Sequence, residues 1–383
     1  MRGRIDSESF LYIVLGLIFL IIPFDELNHS LLYFLQYVIA LVGISTVNKE
    51  YTNDKWFRYY LCYLIWCVVA TALSYNKILS LRQLIAVGSP LFIYVAINEL
   101  AQIDKIRFIA TLNRWVLWLS GLLLVILVIC NLPFKNAFIN MVIYAVKDGS
   151  RIYLSTVSLC CLVYVLYFST SKIFKFVTLA IVIASNLFYH DGAFWFVLVM
   201  VLILYWVYIR QFRLIRIFIA SIIAIFVLIV TFFVLTKIVK YNLHIYERLL
   251  VFQYWLPKLL YSPIYGIGLG LGQLHEFYVS RFPVDPDALK INPFIAFHAH
   301  NIFIDMALAI GFPGLILFLW LLGITIIDLG KRYSYDVCGY ISILLVVLGK
   351  NCVDDLFEGS KGLFLWLMVI LVYISINTRN NIK

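Results

Sequence analysis

The residues best suited to chemistry lie at positions 297–301, a stretch that contains two histidines and ends in His300-Asn301. An imidazole has an unperturbed pKa of about 6.5, so near pH 7 it is largely neutral and can take a proton from a hydroxyl group. Nine residues separate Asn301 from Gly311, and two more separate Gly311 from Gly314, inside the apolar run that follows. This spacing is a specific pattern, and the histidines that precede it are candidates for a reactive base.

Two other roles for these histidines stay open. His300 is compatible with a polar residue at a membrane interface. His298 and His300 could also ligate a metal ion, with His275 as a third ligand. Alternate residues point apart in a helix, however, and no carboxylate cluster accompanies them. The sequence therefore disfavours a metal site, and we expect none.

A second group of candidates begins upstream at Arg248. A Ser262-Pro263 pair follows about fifteen residues later, and then a run from Gly266 to Gly272 with glycine at every second position. A guanidinium group can donate two parallel hydrogen bonds to phosphate oxygens, which makes Arg248 suitable for an anionic ligand. The glycine run is not a dinucleotide-binding fingerprint, because no βαβ unit surrounds it. It is either a flexible turn or a surface for close packing.

These residues lie among about twelve apolar runs, most of them close to the ~20 residues that cross a bilayer. The runs cover 8–24, 30–47, 58–75, 83–99, 114–132, 152–169, 175–189, 193–209, 216–236, 302–327, 337–351 and 361–377. The first has no small-residue cleavage site at its end, so we expect a retained span. The pattern predicts an all-α membrane protein with about twelve transmembrane helices. We expect residues 1–383 to form a single polytopic transmembrane domain, with 237–301 as a long loop within it.

Composition supports this prediction and excludes other classes. Hydrophobic residues make up 64% of the 383 positions and charged residues only 13%, which is too little charge to cover a soluble domain. The net charge of +10 comes from Lys and Arg that lie between apolar runs rather than on one face. Such charges set membrane topology and bind anionic lipid headgroups, and we expect no nucleic-acid partner. The seven cysteines show no CxxC pairing, so no zinc site or disulfide framework is indicated.

The basic residues also predict an orientation. Clusters of Lys and Arg follow alternate apolar runs, as at Lys105-Ile106-Arg107, and the positive-inside rule then places both termini in the cytoplasm. The loop at 237–301 falls on the opposite, outer side although it carries several basic residues. Long loops translocate regardless of charge, so this does not contradict the assignment. A His-Asn pair at the outer end of a span would lie at the depth of lipid headgroups.

The order Arg248, Ser262-Pro263, glycine run, His300-Asn301 and Gly311 resembles the family of bacterial O-antigen polymerases and O-antigen ligases. The resemblance is firm over about residues 245–320. It implies a metal-independent glycosyltransferase with a GT-C-like fold in the bacterial inner membrane, whose active site faces the periplasm. The donor it implies is a glycan on undecaprenyl diphosphate, and no cofactor is expected.

The resemblance also implies roles for individual residues. His300 would be the general base that deprotonates the acceptor hydroxyl, and Arg248 would hold the diphosphate. Asn301 and Asp305 match positions of the family and would be supporting groups.

One motif departs from the family pattern. Ligases usually have Ser-Arg-Gly-Ala where this chain has residues 190–193, His-Asp-Gly-Ala, so a second arginine is absent and Asp191 would repel a diphosphate. Another cation is therefore needed. Arg151, which follows Asp-Gly-Ser and opens an apolar run on the outer side, is our first choice, and Arg82 and Arg281 are alternatives.

Three functions are compatible with these patterns. We favour an O-antigen or capsular polysaccharide polymerase that transfers a growing chain onto a lipid-linked repeat unit. A ligase that transfers finished glycan to lipid A–core is the second. A transporter or flippase of lipid-linked glycans is the third, although the spans lack the repeated, broken-helix halves of many transporters. The expected partners are a lipid-linked donor, a glycan acceptor and membrane lipid, and a chain-length regulator stays open.

Overall fold

The computed structural model describes residues 2–47, 51, 53–130, 150–189, 192–210, 250–284, 286, 299, 301–332, 335–351 and 359–380. Within these residues the chain is helical and no β-strand occurs. The α-helices are α1 (Arg2–Ile21), α2 (Asp25–Thr46), α3 (Lys55–Ala72), α4 (Lys77–Ile103), α5 (Lys105–Cys130), α6 (Ser150–Phe168), α7 (Lys172–Tyr189), α8 (Gly192–Arg210), α9 (Leu271–Arg281), α10 (Ile302–Arg332), α11 (Val337–Asn351) and α12 (Gly359–Asn380). A 3₁₀ turn, Leu256–Leu260, precedes α9.

The helices begin where short polar side chains can cap them. Asp54 accepts a hydrogen bond from the backbone N–H of Phe57 at 2.8 Å, and Asn76 accepts one from Leu79 at 3.2 Å. These side chains replace intrahelical partners that the first N–H groups of a helix lack. Caps in the sequence, together with the apolar runs, therefore define the boundaries of α3 and α4. The apolar run at 83–99 lies inside α4, which continues through Pro90.

The helices pack into a bundle with α12 near its centre. From Leu363 to Ile376 nearly every side chain of α12 is buried, and this helix contacts α2, α4 and α11. The neighbouring contacts of α4 with α2 and of α3 with α10 extend the same core. Polar α12 positions such as Ser375 are also buried, so the core surrounds the helix on all sides.

The outward faces of the bundle are apolar. Among the large hydrophobic side chains there, Ile78 is 72% exposed, Trp118 is 77% exposed and Phe176 is 73% exposed. Two of the described helices, α4 and α10, are long and apolar enough to cross a membrane, and several others have shorter apolar stretches. The expected all-helical architecture is confirmed for the described residues. The expected run at 216–236 lies outside them.

The long helix α10 contains a break that explains two of the sequence motifs. Gly311 has φ 72° and ψ 173°, a backbone conformation that is essentially restricted to glycine. Pro313 has no N–H, so the carbonyl of Ala309 loses its partner four residues ahead. That carbonyl instead accepts the N–H of Gly268 at 2.9 Å. The break is therefore where the chain from the long loop attaches to the bundle.

Further hydrogen bonds complete the attachment. The N–H of Phe312 donates to the carbonyl of Pro263 at 2.8 Å, and the freed carbonyl of Leu308 accepts the N–H of Ile267 at 3.0 Å. The indole of Trp66, on α3, donates to the carbonyl of Ile310 at 2.8 Å. Non-helical backbone inside a helical bundle needs protein groups that satisfy its hydrogen bonds. Ser262-Pro263, the glycine run and the break thus form one hydrogen-bonded unit.

We expect Gly311→Ala to destabilise the protein strongly. A Cβ at this position would lie 2.0 Å from the carbonyl oxygen of Ile264, and alanine would also be held at positive φ. The conformational penalty alone is about 1–3 kcal/mol. Gly323→Ala is the matched control, because it lies on the same helix and its Cβ would meet nothing within 4 Å. Thermal unfolding of the purified proteins measures both. Equal melting temperatures for the two variants would show that the break does not need glycine.

Candidate active site

The beginning of α10 is fixed by Asn301. Its side-chain oxygen accepts the backbone N–H groups of Phe303 at 3.0 Å and Ile304 at 3.3 Å. This is the arrangement of an N-cap residue, which satisfies two of the unpaired donors of the first turn. The residue therefore has a definite structural role, because it sets the point at which α10 begins, directly after position 300.

Asp305, one turn into α10, holds the chain on both sides of position 300. One carboxylate oxygen accepts the N–H of Ala299 at 2.9 Å, and the other accepts the N–H of Asn301 at 3.4 Å. Asp305 is only 6% exposed, so its charge is stabilised by hydrogen bonds rather than by water. Charge-assisted bonds of this kind are stronger than neutral ones. The carboxylate therefore fixes the backbone that flanks His300.

A cavity of about 110 Å³ adjoins this carboxylate. It lies among α3, α4, α9, α10, α12 and the glycine run, and Asp305 forms part of its wall. Aliphatic side chains form most of the rest. The lining residues that could contact a ligand through an aromatic ring or a polar group are Tyr60, Tyr63, Gln83 and Trp366. A mostly apolar cavity with a few converging polar groups is typical of a ligand site.

Gln83 is the polar residue of this cavity that the sequence motifs did not indicate. Its side chain approaches the glycine run, since a Cβ on Gly270 would lie 3.1 Å from Cγ of Gln83. No described residue forms a hydrogen bond with its amide, which is half-buried. Gln273, by contrast, is fully buried and structural. Its amide donates to Ser80 Oγ at 2.7 Å and accepts the N–H of Asn76 at 3.2 Å.

Gly268 shows how closely the glycine run approaches α4. Its φ is +114°, and a Cβ would lie 2.3 Å from Cβ of Ser74 and 2.4 Å from Oγ of Ser80. The run is thus a turn with close backbone approach to two neighbouring elements. The sequence allowed either a flexible turn or a surface for close packing. The structure favours close packing, and the segment that packs is a turn rather than a helix.

The basic residues of the described loop differ in their surroundings. The Arg281 guanidinium stacks on the Phe277 ring at 3.9 Å and lies 5.4 Å from the ring of Tyr75. Its Nη1 donates to the carbonyl of Phe277 at 3.1 Å, and the side chain is exposed. Arg281 does not line the cavity. It is available to an anion at the loop surface rather than beside Asp305.

Lys258 is held among aromatic rings. Its Nζ donates to the backbone carbonyl of Tyr254. The same atom lies 3.0 Å from the centre of the Tyr254 ring and 5.5 Å from the centre of the Phe282 ring. Burial lowers the pKa of Lys258 to about 8, because the surrounding rings replace water around the charged form. The side chain therefore stabilises the loop core formed with Trp255 and Tyr278.

Several predicted site residues lie outside the described residues. These are His298, His300 and Arg248, together with positions 190 and 191 of the departing motif. Arg151 belongs to the first turn of α6, and its side chain also lies outside the described part. Among the described residues, no group of three or more His, Cys, Asp or Glu side chains is arranged to hold a metal ion. The structure thus brings together Asn301 and Asp305 and leaves Arg281 apart from them.

A family model described as O-antigen ligase matches residues 187–319. The matched part includes the loop, the glycine run, the beginning of α10 and its break. No curated protein gives a significant match to the chain. Over these residues the chain is similar to the O-antigen ligase family, which confirms the resemblance that the order of motifs indicates.

Proposed function

We propose that this chain is an O-antigen or capsular polysaccharide polymerase of the bacterial inner membrane. In this proposal it transfers a glycan from undecaprenyl diphosphate onto a lipid-linked repeat unit, in a GT-C-like bundle of about twelve spans with residues 237–301 in the periplasm. The family match over residues 187–319 supports glycosyl transfer in the O-antigen pathway. The observation that carries the site is the pair of hydrogen bonds that the Asp305 carboxylate accepts from the backbone N–H groups on either side of position 300.

The proposed reaction is a displacement at the anomeric carbon of the donor sugar. His300 removes the proton from the acceptor hydroxyl as its oxygen forms the new glycosidic bond. The bond to the diphosphate breaks at the same time, and undecaprenyl diphosphate leaves with the electron pair. A neutral imidazole is suited to the proton transfer, and cationic side chains are suited to the charge that develops on the leaving group.

Asn301 and Asp305 support this reaction through position. Asp305 holds the backbone at residues 299 and 301, and preorganisation of a base lowers the entropic cost of reaction. The nearby cavity offers Gln83 as a hydrogen-bonding group and Tyr60 and Trp366 as aromatic surface. We propose that it receives a polar part of the glycan. Asp305 would then contribute to the cavity wall while it holds the chain.

Arg248 is proposed to bind the diphosphate, with Arg151 as the second cation and Arg281 as an outer contact. We expect Arg248→Lys to lose much of the activity, because lysine keeps the charge but lacks the planar pair of donors. Each lost charge-assisted contact costs about 1.5–3 kcal/mol. Chain length of the polymer in cells measures the effect. Lys55→Ala is a control, because it removes an exposed cation whose partner is Asp328 and which has no role in the proposed site. Full-length polymer in an Arg248→Ala strain with normal protein levels would remove this residue from the site.

A ligase is the second candidate, because the matching family model is described as O-antigen ligase. Both enzymes would use the same donor and base and would differ in the acceptor. The His-Asp-Gly-Ala sequence at 190–193, in place of Ser-Arg-Gly-Ala, supports the polymerase.

A strain that lacks the gene for this protein tests the choice between polymerase and ligase. Single repeat units on lipid A–core would support the polymerase. Undecorated core together with long lipid-linked polymer would instead assign the ligase, and repeats trapped in the cytoplasmic leaflet would contradict both.

A further inference from the structure

A second, larger groove lies away from the candidate active site, between α1, α5 and α7. Its volume is about 830 Å³, within the range of roughly 300–1,000 Å³ that is common for ligand pockets. The walls are almost entirely apolar, and several of their side chains are exposed on the outside of the bundle. The principal lining residues are Phe19, Leu20, Trp118, Leu122, Val125 and Phe174. A groove of this character suits a hydrocarbon chain.

The contacts of α1 with α5 fix the direction of the groove. Glu8 and Tyr12, near the beginning of α1, contact Arg107 near the beginning of α5. Further along, Phe19 stacks on Trp115, with ring centres 6.0 Å apart. The two helices therefore run parallel, and the groove follows them from the basic beginning of α5 towards its apolar end.

The space inside the groove lies where Gly121, which has no side chain, follows the large side chain of Trp118 by one turn. A Cβ on Gly121 would meet nothing within 4 Å, so this position opens onto empty space. Trp118, one turn earlier, is 77% exposed. Folded interiors are normally close-packed, and an open apolar space of this size on the bundle's outer face is filled by another molecule when lipid surrounds it.

Arg114 is the charged residue that lines this apolar groove. It lies two turns beyond Arg107, whose guanidinium is paired with Glu8 at 3.0 Å. No described carboxylate pairs with Arg114, and its side chain is exposed. A charged group within an apolar helix is costly without a partner, and such residues mark ligand or ion sites. Lys172, two residues before the lining residue Phe174, adds positive charge at the start of α7.

We propose that the groove binds an anionic phospholipid, with its acyl chains along Trp118 and Leu122 and its phosphate at Arg114. Guanidinium and phosphate form parallel charge-assisted hydrogen bonds, which provides the headgroup selectivity. The proposal goes beyond glycosyl transfer and depends on placement of the bundle in a membrane with the predicted orientation. The basic beginning of α5 is on the cytoplasmic side by the positive-inside rule, opposite to the proposed donor site, so a phospholipid of the inner leaflet is the fitting occupant.

Native mass spectrometry of the full-length, delipidated protein in detergent tests this proposal. We expect phosphatidylglycerol to bind about tenfold or more tightly than phosphatidylethanolamine, and Arg114→Gln to remove that preference. Arg58→Gln is the matched control: it removes the same charge from an exposed residue of α3 that donates to the carbonyl of Asn53 and does not line the groove. Unchanged preference in Arg114→Gln would overturn the proposal.

Two further measurements locate the acyl chains of the bound phospholipid. Gly121→Leu keeps Arg114 and fills the groove, so it should reduce phosphatidylglycerol binding as well. Phosphatidylglycerol with brominated chains should quench the tryptophan fluorescence of the wild type more than that of Trp118→Phe. Equal quenching, or binding that survives Gly121→Leu, would place the lipid elsewhere. Displacement of phosphatidylglycerol by undecaprenyl phosphate at lower concentration would assign the groove to the isoprenoid carrier and contradict the phospholipid.

Discussion

His300→Ala should abolish polymer in cells and lower the transfer rate of the purified protein by about 10²–10⁴-fold. The imidazole is proposed to accept the proton of the acceptor hydroxyl, and no side chain of alanine can do so. The backbone on both sides of this position is held by Asp305, so the substitution should leave the local chain in place. Turnover of a lipid-linked repeat by the purified variant, at wild-type expression and melting temperature, measures the chemical loss.

His298→Ala is the matched control for this prediction. It removes the same side chain two positions away, and we expect at least partial activity to remain. Addition of EDTA to the wild-type protein should have no effect, because the proposed mechanism uses no metal. Inactivation by EDTA with recovery on addition of zinc would contradict the mechanism. An essential His298 together with a dispensable His300 would show that the motif has been aligned to the wrong histidine.

Asp305→Asn should lower kcat by roughly 10–100-fold and leave KM for the donor nearly unchanged. An amide retains one acceptor oxygen but presents an NH₂ group to a backbone N–H, so one of the two bonds to Ala299 and Asn301 is lost. A charge-assisted hydrogen bond contributes about 1.5–3 kcal/mol, which corresponds to this range of rate. The effect is expected in kcat because the carboxylate is proposed to position residue 300 rather than to bind the diphosphate.

Asp328→Asn provides the control for this substitution. Asp328 lies on the same helix. Its carboxylate pairs with the exposed side chains of Lys55 at 2.6 Å and Arg332 at 2.8 Å, and ion pairs with exposed side chains contribute little to stability. We expect wild-type kcat for this variant. A pH–rate profile of Asp305→Asn with the shape of the wild-type profile would agree with a positioning role. A normal kcat in Asp305→Asn would show that the chain around residue 300 does not need the carboxylate.

The helices could be predicted from the sequence because their signals are local. Apolar runs give the buried and lipid-facing stretches, and cap residues such as Asp54 and Asn76 mark where helices begin. The break in α10 was not predicted, although the spacing singled out Gly311, at which the break occurs. Spacing therefore indicated the order of the motifs and not the shape of the helix that follows them.

The contacts between these elements could not be predicted in the same way. The bond from Gly268 to Ala309 joins residues of the loop and α10, and the indole of Trp66 reaches α10 from the first third of the chain. Gln83 lines the cavity only because α4 packs beside the glycine run. Such pairings depend on how distant helices meet, which no local pattern records. Asp305 was predicted as a supporting group, and that role stays a prediction, whereas its hydrogen bonds to the N–H groups of Ala299 and Asn301 could not be read from the sequence.

The central claim is transfer of glycan between lipid carriers, and reconstitution of the purified protein in liposomes tests it most directly. The liposomes would contain a defined undecaprenyl-diphosphate-linked repeat unit, and the lipid extract would be analysed by mass spectrometry over time. We expect lipid-linked glycans of two or more repeats, with release of one undecaprenyl diphosphate for each new linkage. Repeat units that cross the bilayer without becoming longer, and with no release of undecaprenyl diphosphate, would contradict glycosyl transfer and assign the protein to transport.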